Sequence, residues 1–182
     1  ASTSTYPAKS FFYGIGNDIM KNLIVHGYMG STTENEVFVH RVKGIKFMAL
    51  DPVTKGLVIQ KIEKKAEQRT VDNLPLGEKT WLGEVVGYEV PSSLSNTEEA
   101  KNIIVPSLVT NETEGLIIKD ENGNVISLND GESIVVSSLG FHSLWYPGAI
   151  SSDDGSVQNG FVKAVKSVLL PQTITDIKSN AF

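Results

Sequence analysis

The chain has no cysteine, which excludes disulfides, thiolate zinc sites and cysteine nucleophiles. It has no long apolar run. Stretches such as Leu23-Ile24-Val25 and Val168-Leu169-Leu170 fall far short of the roughly 18 to 20 residues that cross a bilayer as a helix, so no membrane partner is expected. It has no excess of positive charge. A formal charge of −5 works against non-specific attraction to phosphate backbones, and nucleic acid is not an expected partner. No basic segment followed by an apolar stretch opens the chain. Ala1-Ser2-Thr3-Ser4-Thr5-Tyr6-Pro7 therefore reads as having no secretory signal or one already removed, and a small first residue also suits loss of an initiator methionine from a complete chain made in the cytoplasm.

What is present is an ordinary globular composition. Of 182 residues, 40% are hydrophobic and 20% charged, enough to bury a core without staples. Residues 1–10 are small and polar and read as an extended N-terminal arm. The run Asp18 to Gly27 has an N-capping residue, apolar positions at helical spacing and a glycine stop, which predicts a helix near 18–26; Leu23-Ile24-Val25 is equally β-prone. Three β-rich stretches follow, Val37–Val42, Ile45–Leu50 and Leu57–Ile62, with Lys43-Gly44 and Asp51–Gly56 as turns. Lys64–Arg69 reads as a solvated polar loop. Trp81–Val90 reads as a strand in which Gly83 and Gly87 mark a bulge or close backbone packing.

Residues 92–106 read as a linker with a short helix near 97–103, its start marked by a capping box of Ser95 and Glu98 and its end by Pro106. Two β-rich domains or halves, 11–91 and 107–182, flank it. In the second, Leu116–Lys119 and Val125–Leu128 surround an Asn122-Gly123 turn, and Asn129–Glu132 leads into Ser133–Val136. This alternation predicts an antiparallel meander over 115–136. Phe161–Leu170 is a last strand or a short helix. The fold expected is mainly β, an antiparallel sandwich or barrel-like sheet with one or two short helices.

At the C-terminus, Leu170-Pro171-Gln172-Thr173-Ile174-Thr175-Asp176-Ile177-Lys178-Ser179-Asn180-Ala181-Phe182 resembles one unit of the BspA-type leucine-rich repeats of microbial surface proteins. The resemblance implies a solenoid, yet one unit alone cannot bury its apolar face. Leu-Pro followed by alternating Ile and polar residues also describes an edge strand, and both readings stand at this level.

The chemistry-bearing motifs fall short on spacing. Gly14-Ile15-Gly16-Asn17-Asp18-Ile19 lacks the third glycine of a dinucleotide fingerprint and reads as a glycine-rich turn. Asp120, Asn122 and Asn124 fit the first odd positions of a calcium loop, but Val125 and Gly131 stand where Gly and Glu belong. Asp153-Asp154 reads as a solvated acidic turn. The three histidines, His26, His40 and His142, have no second ligand at zinc spacing. No Gly-x-Ser-x-Gly elbow occurs, and adjacent carboxylates such as Glu98-Glu99 point apart on a regular element. Asn111-Glu112-Thr113 fits a glycosylation sequon that decides nothing by itself.

No catalytic, metal or cofactor residue is therefore assigned, and the chain is expected not to be an enzyme. Phe141, His142, Trp145 and Tyr146 form an aromatic stretch that serves either core packing or an interface, since aromatic residues are enriched in both. The expected function is structural: an assembly protein with protein subunits as partners, forming a homo-oligomer or larger assembly, such as a phage capsid-decoration, fibre or tail protein located in the virion. Its interface residues are expected to be Tyr6 and Pro7 in the arm and Phe141, Trp145 and Tyr146 after the meander. The alternative is a surface-exposed or secreted module that binds carbohydrate or a host protein and precedes the repeat-like segment.

Overall fold

The computed structural model describes residues 19, 23–40, 44–62, 70–71, 74–75, 79–94, 97–141, 143–144 and 165–182. The architecture is mainly β, a curled half-barrel sheet with two short helices. Its principal sheet runs β10 (Val125–Ile126), β9 (Ile117–Lys119), β3 (Leu57–Ile62), β6 (Thr80–Tyr88), β11 (Ser133–Leu139), β13 (Asp176–Ile177), and β8 (Leu108–Thr110) also pairs with β11. Because β6 occupies one side of β11, β8 and β13 share the other side end to end, β8 against Ser133–Val135 and β13 against Ser138–Leu139. Strands on either side of residues 92–106 thus meet in one sheet over one core.

That sheet is mixed. β3 and β6 are antiparallel, whereas β11 runs parallel to β6 and to β13, and β9 runs parallel to β3. The expected meander over 115–136 is accordingly corrected. β9 and β10 form the antiparallel hairpin, but β11 leaves it and sits four places away in the sheet. The physical reason is burial. All seven residues of β11 are buried, so it needs neighbours on both edges and cover on both faces, while β10 has two residues, with Val125 70% exposed, and suits an edge.

Alternation assigns the two faces. Leu57 and Ile59 of β3, Val85 of β6, and Ile134, Val136 and Leu139 of β11 point into the main core, joined by Ile103, Val105, Val109, Ile118, Leu128 and Leu144. Leu108 and Val135 point to the opposite face, where Leu82 and Met48 cover them. Two irregularities shape the sheet. The register skips one residue of β6 between Val58 and Ile59 of β3, and a second shift leaves Ser137 as an extra residue in β11. A Cβ on Gly83 would collide with Ile134 and lie 3.1 Å from Ile59, so the close packing expected there is present alongside the bulge.

The N-terminal part differs from the expected order. β1 (Ile24–Gly27) is a strand paired in parallel with β2 (Lys46–Ala49), which corrects the helix near 18–26 across its C-terminal part. The β-prone trio Leu23-Ile24-Val25 decided the local structure once β2 lay beside it. The helix lies instead at α1 (Thr32–His40), where a strand from Val37 was expected. Ser31 caps it, its Oγ accepting from the Glu34 amide at 3.2 Å, and this capping chemistry just upstream outweighs the β-branched residues that follow. Val37, Ile45 and Phe47 form a small core between α1 and this pair of strands. Ser107 Oγ donates to the Phe47 carbonyl at 2.9 Å and ties that layer to β8.

The helix expected near 97–103 is present as α2 (Glu98–Lys101), but its N-cap is Thr97, whose Oγ1 accepts from the Ala100 amide, rather than Ser95. It gives way directly to β7 (Asn102–Ile104), which pairs in parallel with β12 (Ser167–Leu169). β4 (Thr70–Val71) and β5 (Leu74–Pro75) form a two-residue antiparallel ladder. Lys64–Arg69 lies outside the described residues, as does Phe161–Ala164 of the last predicted element; the remainder of that element contains β12.

Candidate interaction surface

β11 ends at Leu139, and the chain turns at once. Gly140 makes this turn possible, because a Cβ there would stand 2.9 Å from the Val85 carbonyl and 2.8 Å from Glu84 Oε1. The Gly140 amide donates to that carbonyl at 2.8 Å and the Ser143 amide donates back to Gly140 at 3.2 Å, which lifts Phe141 to the outside, 56% exposed. Leu144 returns to the core. The C-terminal segment winds against this turn. Lys178 donates its amide to the Leu139 carbonyl at 2.9 Å, and the Leu144 amide donates to Ala181 at 2.8 Å, burying Ala181 between two exposed neighbours, Asn180 and Phe182.

The consequence is a cluster assembled from two distant stretches. Phe141, Ile177 and Phe182, all among the exposed large hydrophobic residues, are brought to the same end of β11. On the opposite face of this sheet edge lies a polar set. Glu84 forms an ion pair with Lys178 at 2.6 Å and accepts from Ser138 Oγ at 3.1 Å. Single exposed apolar side chains are ordinary on any protein, but three at one end of a strand, with a charged pair on the other face of the same edge, have the composition of an interface.

Of the interface residues expected from sequence, Phe141 stands at this surface; Tyr6, Pro7, Trp145 and Tyr146 lie outside the described residues, as does His142. Ile177 and Phe182 were not singled out. The only signal for Ile177 was the run Ile174-Thr175-Asp176-Ile177, legible as a repeat unit or an edge strand until β11 supplied the partner, and Phe182 carried none.

No protein-family model, curated protein or solved structure matches this chain.

The ionisable groups elsewhere are absorbed into local structure. Asp120 accepts from the amides of Asn122 and Asn124 and from Asn124 Nδ2, at 2.8 to 3.0 Å; these hydrogen bonds, Asn124's first, hold its carboxyl below the usual range and spend its oxygens on the turn. Glu132 is likewise lowered, chiefly by the Asn129 amide, and sits 3.8 Å from Lys61. Lys61 is buried with its Nζ 4.1 Å above the Trp81 ring, where cation–π attraction compensates lost hydration. Burial also lowers Lys46. Glu34 is buried and accepts from the Gly30 amide at 2.6 Å and the Gln172 amide at 3.3 Å, joining the start of α1 to the C-terminal segment. His40 lies 3.9 Å from Glu36 on α1. Among the described residues no three His, Cys, Asp or Glu side chains converge as a metal site, and no helix is long and apolar enough to cross a membrane.

Proposed function

We propose that this protein is a non-enzymatic assembly component that works through subunit interfaces. The observation that carries this reading is the placement of three exposed apolar residues, Phe141, Ile177 and Phe182, at one end of β11, with the Glu84–Lys178 ion pair on the opposite face of that edge. The described carboxylates and lysines with close partners are engaged in turns, caps and ion pairs, which supports a scaffold more than a reaction centre. The absence of cysteine and the polar N-terminal stretch with Tyr6 and Pro7 support an assembly of the virion type, such as a phage decoration, fibre or tail component, with other copies or other subunits as partners. Light scattering on the purified chain tests the reading. A defined oligomer is expected, weakened by Phe141→Ser with Phe182→Ser and by removal of residues 1–10; a strict monomer indifferent to all three changes overturns it.

A second reading draws on a separate observation. β12 stacks on β7 in parallel and in register, Ser167 on Asn102, Val168 on Ile103 and Leu169 on Ile104, and each strand is followed two residues later by proline, Pro106 and Pro171. Parallel in-register stacking is how repeat units bury their apolar faces, so this favours a surface-exposed binding module with a repeat-like C-terminal segment. Such a module stays monomeric and binds a glycan or host protein, with binding lost in Trp145→Ala while the melting temperature is kept.

A further inference from the structure

Residues 165–182 make almost all their contacts with chain far away in sequence. β12 lies on β7, β13 lies on the end of β11, and the bulged Ser137 turns its carbonyl outward to accept from the Thr175 amide at 2.8 Å. Thr173 Oγ1 donates to the Val136 carbonyl at 2.7 Å, Ser167 Oγ to Asn102 Oδ1 at 2.7 Å, and Lys166 Nζ lies 2.7 Å from Glu98. The segment is a strap laid in a seat formed by β7, the end of β11 and Leu144.

The strap is shallow. Within it only Pro171 and Ala181 are fully buried, Val165, Val168, Leu170 and Ile174 rest half-buried on the core, its two ladders have three and two residue pairs, and among the described residues both its ion pairs involve lysines about half exposed. Regions held by few buried contacts open at a fraction of the global unfolding free energy. Opening uncovers Ile103, Val105, Leu139 and Leu144, which favours prompt re-covering by a strap from any source. Twenty residues of sequence separate Leu144 from the strap, and covalent geometry alone limits the span of that many residues to roughly 66 Å, more than the width of a domain of this size.

We propose that the strap is exchangeable, so that the seat of one copy accepts residues 165–182 of a second copy and two chains form a strand-exchanged dimer. The contacts in the exchanged form are the same as in the closed chain, so exchange costs no interaction and is governed by concentration. It rests on the assembly reading and supplies that reading with a named contact.

The absence of cysteine makes the test clean. Asn102 and Ser167 are exposed, paired in register and hydrogen-bonded to each other, so Asn102→Cys and Ser167→Cys place two thiols within bridging reach without touching the core. The double variant should close an internal disulfide under mild oxidation. The two single variants, mixed and oxidised together, should give a covalent species of twice the monomer mass, well above the yield of either alone and rising as protein approaches the roughly millimolar effective concentration of a tethered segment. No mixed species above the single-variant background overturns the exchange, and so does failure of the double variant to close, because the seat is then not formed. Light scattering separates the two proposals: an oligomer without mixed bridges retains assembly and rejects exchange, whereas mixed bridges in a chain otherwise insensitive to Phe141→Ser and Phe182→Ser reject the surface and retain the strap.

Discussion

At the residue scale the structure separates positions that look alike in sequence. Gly56 and Gly123 both sit in polar turns, and both have positive φ, +91° and +86°. Around Gly123 nothing lies within 4 Å of a built Cβ, while at Gly56 a Cβ would collide with the Glu89 carbonyl, part of a knot in which Gly56 also donates to Gly115 at 2.7 Å. Gly123→Ala should therefore cost only the left-handed backbone penalty, about 1 to 2 kcal/mol. Gly56→Ala should cost more, about 3 kcal/mol or above, because overlap with main chain adds to it. Thermal melts of the two variants check the ordering, and equal shifts would contradict the packing described. The sequence marks both glycines as turn residues; how crowded each turn is depends on segments some 30 to 60 positions away, which no local pattern reports.

At the element scale, α2 illustrates how a four-residue helix is held. Thr97 caps it, Tyr88 Oη donates to the Ala100 carbonyl at 3.1 Å, and Glu98 receives both Lys101 and the strap's Lys166. Hydrogen bonds from these two lysines hold the Glu98 carboxyl at about 2, against an ordinary value of 4.5. A carboxylate lowered in the folded state contributes stability above its unfolded pKa and loses it as pH falls through the folded value. Any margin of the native chain over Glu98→Gln should thus be full above pH 4.5, shrink between 4.5 and 2, and disappear below. With the side chain 63% exposed the margin is small and weakens in high salt. Melting temperature against pH for both proteins, at two salt concentrations, is the measurement, and a margin that grows on acidification would contradict the assignment. The same scale shows why a strand is expected from Val37 where the second half of α1 lies: Val37-Phe38-Val39 has β texture, and the Ser31 and Glu34 capping contacts that favour helix lie before the run.

At the scale of the whole molecule, the main core lies against the curled sheet and is covered in part by the strap, whose Val165, Val168, Leu170, Ile174 and Ala181 pack into it. Ala181 and Phe182 are chain neighbours with opposite roles, one buried beside Leu144 and one exposed. Ala181→Asp should lower stability by several kcal/mol, since it buries a carboxylate without a partner, whereas Phe182→Ser should stay within about 0.5 kcal/mol, as exposed positions do. Chemical denaturation of the pair tests whether the C-terminus belongs to the core. Sequence by itself determined the mainly β character, the β9–β10 hairpin, the strand at β6 with its glycine-marked irregularities, and the turn role of Asp120 to Asn124. These depend on side-chain type and spacing within a few residues. Tertiary structure alone decided that β11 joins β6 instead of β10, that β1 is a strand, that the sheet is mixed, and that Phe141, Ile177 and Phe182 share one end of it. Those outcomes depend on which distant strand covers an apolar face and satisfies a backbone edge, and that choice is made by the completed core.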